Sequence, residues 1–246
     1  NYRPEHLALL RNLGVLVGVS LARTIQLVES TRLANIGQFA SGIVHEIRNP
    51  LATINLALEH LKGLTDLPEG THKRIGLADS EVRRLERLLD DILLYAKPLT
   101  IDRRTLDVNA LIADVIGAMA QDPTPIEFRQ EPCPEVSADP DRIRQVLINL
   151  LRNAQQASPT GGSVQIRCRR SDDHRIEVEI QNGGEPIPEK TLARIFEPFY
   201  TSKPGGTGLG LPIVQRIVDA HGGQIALESD AQHGTRARLT LPTISA

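Results

Sequence analysis

The sequence contains no tryptophan, a single methionine and only 3% aromatic residues. A chain this poor in aromatics must build its interior from Leu, Ile, Val and Ala. That favours helix-rich packing. Charge of one sign is lacking too. The net charge is −2 over 246 residues, which gives no electrostatic footprint for nucleic acid or for an anionic membrane surface. There are two cysteines, Cys133 and Cys168. They form no metal-ligand spacing and no disulfide framework, which fits a reducing, cytoplasmic setting. Long apolar runs are missing: the longest, near Leu13 to Ala22, is about ten residues, too short to span a bilayer. No secretory signal is visible. The chain opens on Asn1 inside a helical pattern, so a fragment of a longer protein is expected.

What is present is hydrophobic content of 40%, enough for a core in each of two domains. Two apolar seams occupy the first hundred residues. One reads Ile36, Ala40, Ile43, Ile47, Leu51, Ile54, Leu58, Leu61, and the other Ile75, Ala78, Val82, Leu85, Leu89, Ile92, Ala96. Steps of three and four predict two helices, over 33–62 and 72–97. Gly63, Pro68 and Gly70 mark a hairpin loop between them, and Pro98 ends the second. An antiparallel hairpin with one wide apolar face needs a second copy to cover it. The expected arrangement is a dimeric four-helix bundle. Before it, residues 5–35 read as a less regular helix.

His45 is off the seam. It lies two residues from both Ile43 and Ile47, turned about 160° from each at about 100° per residue, so it should face solvent. Glu46 sits beside it, and Asn49 follows one turn later. An outward imidazole with an adjacent carboxylate is a candidate reactive group, although such a pair alone is more often an ordinary surface pair.

From about residue 105 the pattern becomes mixed. Helices are expected at 108–120 and 139–157, with strands at 126–130, 163–170, 175–181, 224–228 and 235–241. Asn149 and Asn153 are spaced i, i+4 and share one face of a helix, where their carbonyl oxygens suit a hard cation such as Mg²⁺. Asn182-Gly-Gly184-Glu-Pro-Ile187-Pro188 directly follows a strand. After it come Phe196-Glu-Pro-Phe199-Tyr-Thr-Ser-Lys203 and then Gly205-Gly206-Thr207-Gly208-Leu209-Gly210-Leu211, which opens a helix running to about Ala220. Between 182 and 207 the chain is loop-like, with one short helix near 188–194, and a loop this long is usually functional. Glycines at a helix start let backbone N–H groups approach phosphate. The string is neither a dinucleotide fingerprint nor a P-loop, because a loop precedes it and no Gly-Lys-Ser/Thr follows.

In this order the pieces His45-Glu46, Asn149/Asn153, Asn182-x-Gly184, Phe196/Phe199 and Gly206-x-Gly208-x-Gly210 resemble the H, N, G1, F and G2 boxes of the sensor histidine kinases of two-component signalling. Any one box is weak, but five in order are specific. The resemblance runs from about residue 33 to 242. It implies a multidomain α and α/β (α+β) protein. Residues 33–97 would be the dimerisation and histidine phosphotransfer domain, 98–104 a linker, and 105–246 a catalytic α/β sandwich of the Bergerat (GHKL) type shared with gyrase-type and chaperone ATPases. Residues 1–32 would be a signalling or coiled-coil helix, similar to the exit helix of a GAF-type sensor domain upstream.

The resemblance also implies roles. His45 Nε2 accepts the γ-phosphoryl group of ATP while Glu46 takes the Nδ1–H. Asn153 and Asn149 hold Mg²⁺. Gly206, Thr207, Gly208, Leu209, Gly210 and Leu211 wrap the triphosphate, with Lys203 reaching it, and Asn182, Gly184 and Ile187 line the adenine end. Phe196 and Phe199 anchor the lid. A response regulator then receives the phosphoryl group on an aspartate. His-Glu-x-x-x-Asn further resembles bifunctional members, in which the residue at Asn49 orients a water against the regulator's aspartyl phosphate. One departure stands out: Asn182 occupies a position that is usually Asp, and Pro186 that of a second Gly. Asn keeps the acceptor for the adenine amino group but loses its charge, so weaker ATP binding is expected. Asn also brings a donor, so looser discrimination against GTP is expected.

Overall fold

The structure, a computed structural model, describes residues 47–63, 70–172, 174–203 and 206–244. His45, Glu46, the helix expected over 5–35 and the first part of the first seam lie outside the described residues. The chain divides between Pro98 and Leu99 into two compact units.

In the first unit, α1 is helical over 47–62 and α2 spans Thr71–Ala96. Every second position of each seam is turned inward. Leu51 and Leu58 pack with Ile75, Val82 and Leu89, and Leu93 joins them partly buried. Cross-links between the helices fix their direction. Arg48 pairs with Asp90 at 2.5 Å, Asn55 Nδ2 donates to Glu86 Oε1 at 2.6 Å, and Lys62 pairs with Asp79 at 2.9 Å. The partner number falls as the α1 number rises, so the hairpin is antiparallel. The alternate seam positions are not consumed. Ile47, Ile54, Leu61 and Leu85 stay 41%, 46%, 37% and 37% exposed.

The second unit opens with β1 (Arg104–Leu106) and α3 (Val108–Ala118). β2 (Ile126–Gln130), β3 (Val136–Ala138) and α4 (Pro140–Ala157) follow. Next are β4 (Val164–Asp172), β5 (Arg175–Asn182), the short α5 (Glu189–Leu192) and α6 (Gly210–Ala220). β6 (Gln224–Asp230) and β7 (Gly234–Pro242) complete it. The main sheet has the order β2-β4-β5-β7-β6, with β2 and β4 parallel and the other pairs antiparallel. β1 and β3 form a separate antiparallel ribbon. These two strands were not expected from the sequence, because three residues carry no readable alternation. The five longer strands fall within two residues of the expected ends.

The sheet has a dry face and a wet one. Val164, Ile166, Ile176, Val178, Ile180, Leu239 and Leu241 are buried, as are Ile112 of α3, Ile143, Leu147 and Leu151 of α4, and Ile213 and Ile217 of α6. Each such side chain stabilises the fold by roughly 1.5–3 kcal/mol through burial. The opposite face is a lattice of opposite charges. Arg169 donates to Glu177 at 2.6 Å, Arg238 to Glu228 at 2.9 Å, and Arg236 lies 3.5 Å from Glu179. Glu177 and Glu179 are largely covered while their arginines keep partial contact with water, so these pairs set the register more than they add stability.

The N-termini of α3 and α4 are closed by aspartates. Asp107 accepts from the N–H groups of Asn109 and Ala110, and Asp139 from those of Asp141 and Arg142. α6 has no side-chain cap hydrogen bond, and that difference bears on function.

Candidate functional site

α4 is the axis of the site. Asn149 and Asn153 are both half-buried and lie one turn apart on it, between fully buried Leu150 and Leu151 and toward its C-terminal half. Three other segments are tied to this stretch. The amide of Asn149 donates from Nδ2 to Gly210 O at 3.5 Å, which joins α4 to the start of α6. Lys203 Nζ donates to Asn153 O at 3.4 Å and to Gln156 Oε1 at 3.3 Å, so the segment after Phe199 folds onto α4. Desolvation there lowers the Lys203 pKa below the ordinary lysine value. Gly184 (φ 125°) passes so close to α4 that a Cβ would stand 2.3 Å from Ala157 O. The residues following β5 thus reach the same end of the helix.

The glycine loop closes against the lid. Phe199 has φ 65° and donates its N–H to Gly208 O at 2.9 Å. Gly208 has φ 67°, and a Cβ on it would fall 2.5 Å from the Phe199 carbonyl carbon. At Gly210 a Cβ would meet none of the described residues within 4 Å. Among the described residues no side chain caps this helix start, and the Gly210 and Leu211 N–H groups stand where an anion is favoured. Leu209 is fully buried and pins the loop from below, while Thr207 Oγ1 accepts the Leu209 N–H at 3.3 Å.

At the far end of the loop Asn182 is buried, 6% exposed. Its Nδ2 donates to Gly183 O at 2.6 Å. That bond uses one of the two amide hydrogens, so the side chain keeps a second donor as well as its acceptor Oδ1. Ile187 N–H donates to Ser229 Oγ at 2.9 Å, which anchors the loop on β6.

Asn149, Asn153, Gly184, Lys203 and the loop Gly206, Thr207, Gly208, Leu209, Gly210 and Leu211 are therefore gathered around one end of α4 and the start of α6, while Asn182 lies two residues before Gly184 and Ile187 is held on β6. Asn49 is exposed on α1, in the other unit. A cleft of about 470 Å³ at the opposite end of α4 is lined by Thr100, Ile101, Asp102, Asp139, Asp141 and Arg142. Three aspartates there disfavour a polyphosphate, and about 1.5 Å of rise per residue puts Asp141 roughly 18 Å from Asn153 along the helix.

Sequence reasoning missed one pair of groups at the buried base of α4. His221 ends α6 and is 1% exposed. Its only sequence signal is a position just before Gly222-Gly223. The structure also brings Cys133 and Cys168 together, with Sγ atoms 3.1 Å apart.

Among the described residues no group of three or more His, Cys, Asp or Glu could hold a metal ion. Two amide oxygens one turn apart can supply only part of a coordination sphere. That suits a dication that keeps waters and takes phosphate oxygens, as Mg²⁺ does. Among the described residues, no helix is long and apolar enough to cross a membrane.

A one-faced sheet with an uncapped glycine-led helix, an amide pair and a folded-over lid defines a nucleotide-binding α/β sandwich, preceded by a helical hairpin. Comparison with known proteins agrees. Residues 138–245 match the family described as histidine kinase-, DNA gyrase B-, and HSP90-like ATPase, and residues 35–100 match the His Kinase A (phospho-acceptor) domain. The chain is 32% identical over 219 residues to the sensor histidine kinase ZraS of Salmonella typhimurium, covering 87% of this chain and 47% of ZraS. It is 35% identical to sporulation kinase A of Bacillus subtilis, covering 88% of this chain and 36% of that one. It spans about half the length, or less, of these curated relatives. Among solved structures it is similar to the catalytic domain of histidine kinase ThkA, at 34% identity and TM-score 0.52, covering 58% of this chain and 96% of that one. Full-length ShkA in complex with AMPPNP aligns with TM-score 0.70 at 25% identity, over 85% of this chain and 47% of that one. ThkA in complex with the response regulator protein TrrA aligns with TM-score 0.64 at 32% identity, over 87% and 63%. The chain belongs to the sensor histidine kinases of two-component systems.

Proposed function

We propose that this chain is the dimeric kinase core of a two-component sensor, in which His45 is autophosphorylated from ATP and the phosphoryl group passes to an aspartate of a response regulator. Residues 33–97 serve as the dimerisation and phosphotransfer domain, 98–104 as linker and 105–246 as the catalytic domain; residues 1–32 connect to an upstream sensor. The observation that carries this reading is the convergence of Asn149, Asn153, Lys203 and the 206–211 loop on one end of α4, behind a helix start without a side-chain cap.

Each residue has a role. The N–H groups at the start of α6 and the Lys203 ammonium receive the phosphates, and Asn182 Oδ1 accepts from the adenine amino group. Asn149 and Asn153 would hold Mg²⁺, which neutralises charge on the polyphosphate. His45 Nε2 donates its lone pair to the γ-phosphorus as the bond to the ADP oxygen breaks, and Glu46 holds the Nδ1 proton so that the correct nitrogen is free. Asn49, one turn after His45 in sequence and exposed, orients a hydrolytic water when the regulator's aspartyl phosphate is bound. Dimerisation uses the row Ile47, Ile54, Leu61 and Leu85 that the hairpin leaves uncovered.

The test is labelling with ATP carrying a radioactive γ-phosphate. The protein should take up an acid-labile, alkali-stable label, and His45→Gln should abolish it while ATP binding survives. Absence of label on the native protein would favour the alternative, a non-catalytic dimeric scaffold. Label unaffected by His45→Gln would place the acceptor elsewhere.

A further inference from the structure

We propose that Cys133 and Cys168 form an oxidation site, in which a hydroperoxide converts the two thiols into a reversible disulfide that staples the segment carrying α4. The Sγ atoms are 3.1 Å apart and both thiols are free. Closing to a disulfide length of about 2.05 Å needs a shift of about 1 Å, within reach of side-chain torsion. The two sites are asymmetric in a useful way. Cys168 is fully buried on the dry face of the sheet, in register with Gln130 of β2 and Val178 of β5. Cys133 is half-buried in the irregular segment between β2 and β3. An oxidant therefore meets Cys133 first and finds Cys168 placed behind it to resolve the product.

The chemistry balances with one hydroperoxide. The Cys133 thiolate attacks the peroxide, forming an S–O bond as the O–O bond breaks. The alcohol, or water when the oxidant is hydrogen peroxide, leaves with a proton. Cys168 sulfur then displaces hydroxide from the sulfenic acid. The S–S bond forms, and the Cys168 proton departs with the hydroxide as water. Two thiols lose two electrons and the peroxide gains them. Burial pushes both thiols up in pKa, strongly so for Cys168. The reactive thiolate is therefore scarce near neutrality, and the first step should quicken about tenfold per pH unit while the pH stays below the Cys133 pKa.

The consequence follows from what lies between the two residues. The closed loop contains β3, the cap Asp139 and all of α4 with Asn149 and Asn153. A bridge at its ends constrains the unfolded chain and raises the melting temperature of the catalytic unit.

The experiment uses the reduced 246-residue chain with excess hydrogen peroxide at pH 7 and pH 8, followed by alkylation and denaturing, non-reducing mass spectrometry. The expected product is a monomer lighter by two hydrogens, refractory to alkylation, linked between the peptides holding Cys133 and Cys168, and restored by dithiothreitol. It should form about ten times faster at pH 8 and melt several degrees higher than the reduced chain. Cys133→Ser should prevent the bridge. The proposal is overturned by Cys133 accumulating as sulfinic or sulfonic acid while Cys168 stays a free thiol. Cross-links only between chains, or a bridged form that melts no higher than the reduced one, overturn it equally. The native-chain measurement needs no variant, so a misfolded mutant cannot rescue or sink it.

Discussion

His221 Nε2 accepts the backbone N–H of Asp139 at 3.0 Å, while its Nδ1 donates to Ile217 O at 2.7 Å. One neutral imidazole thus joins the end of α6 to the start of α4, the two helices whose other ends form the proposed nucleotide site. Arg103 extends the tie, donating to Ala220 O at 2.9 Å, and Asp102 N–H donates to Asp139 Oδ2 at 2.9 Å. The pair of hydrogen bonds requires the Nδ1–H tautomer. A second proton on Nε2 would confront the Asp139 N–H.

Acid should therefore loosen the catalytic unit. Burial lowers the His221 pKa below its ordinary 6.5; the Ile217 carbonyl opposes this, Arg103 reinforces it, and Asp139 opposes it. For Asp139, burial pushes upward, but the N–H groups of Asp102, Arg142 and Asp141 outweigh it and hold the carboxyl below 3.8. In both cases the unfolded chain binds the proton first. The stabilisation is complete above the unfolded pKa and is lost as pH falls, from about 6.5 downward for His221 and from about 3.8 for Asp139. The melting temperature should fall between pH 6.5 and 5. His221→Gln should flatten that limb and cost roughly 1–3 kcal/mol at pH 7.5 by disturbing a buried hydrogen-bonded group. A scanning-fluorimetry series across pH for both proteins checks it, and an unaltered acid limb in the variant refutes it.

Gly208 and Gly210 should respond oppositely to alanine. At Gly208 a Cβ collides with the Phe199 backbone and φ is positive, so Gly208→Ala should destabilise the loop by roughly 1–3 kcal/mol and lower both the melting temperature and ATP affinity. At Gly210 the added methyl meets nothing among the described residues, so Gly210→Ala should leave the melting temperature unchanged or slightly raised. Its ATP affinity should nevertheless drop, because phosphate needs that approach. Calorimetric titration beside thermal melts separates the two effects; equal ATP affinity for Gly210→Ala and the native chain would remove the phosphate assignment.

Asn182→Asp should tighten ATP. A carboxylate acceptor strengthens a hydrogen bond to the adenine amino group by roughly 1–2 kcal/mol, about 5–30-fold in Kd. Because Asn182 Nδ2 keeps a second hydrogen beside the one given to Gly183 O, the native protein should discriminate against GTP less strictly than the Asp variant. Competition titration reads both, and an unchanged ATP Kd in the variant contradicts the adenine contact.

Two leucine-rich rows in the hairpin should separate folding from assembly. Leu58→Ala removes a buried side chain and should cost about 2–5 kcal/mol of hairpin stability. Ile54→Lys changes a residue that is 46% exposed, so it should leave the hairpin helical while turning a dimer into a monomer. Light scattering with circular dichroism distinguishes them, and a dimeric Ile54→Lys would show that this row is not the interface.

Periodicity alone identified the described part of the first hairpin helix, the second helix and all five strands of the main sheet, because one-sided burial writes a period into each element. The ordered boxes likewise pointed to an ATP-binding kinase core. Periodicity could not say which half of each seam stays uncovered, since a heptad row looks the same whether its partner is in the same chain or another. It was silent on the ribbon of β1 and β3, on His221 beneath the site and on the meeting of Cys133 with Cys168. Those are contacts between residues far apart in sequence, created when the sheet pairs β2 with β4 and α6 packs against α4. Local preferences fix what each segment is; only the packed chain decides which distant groups touch.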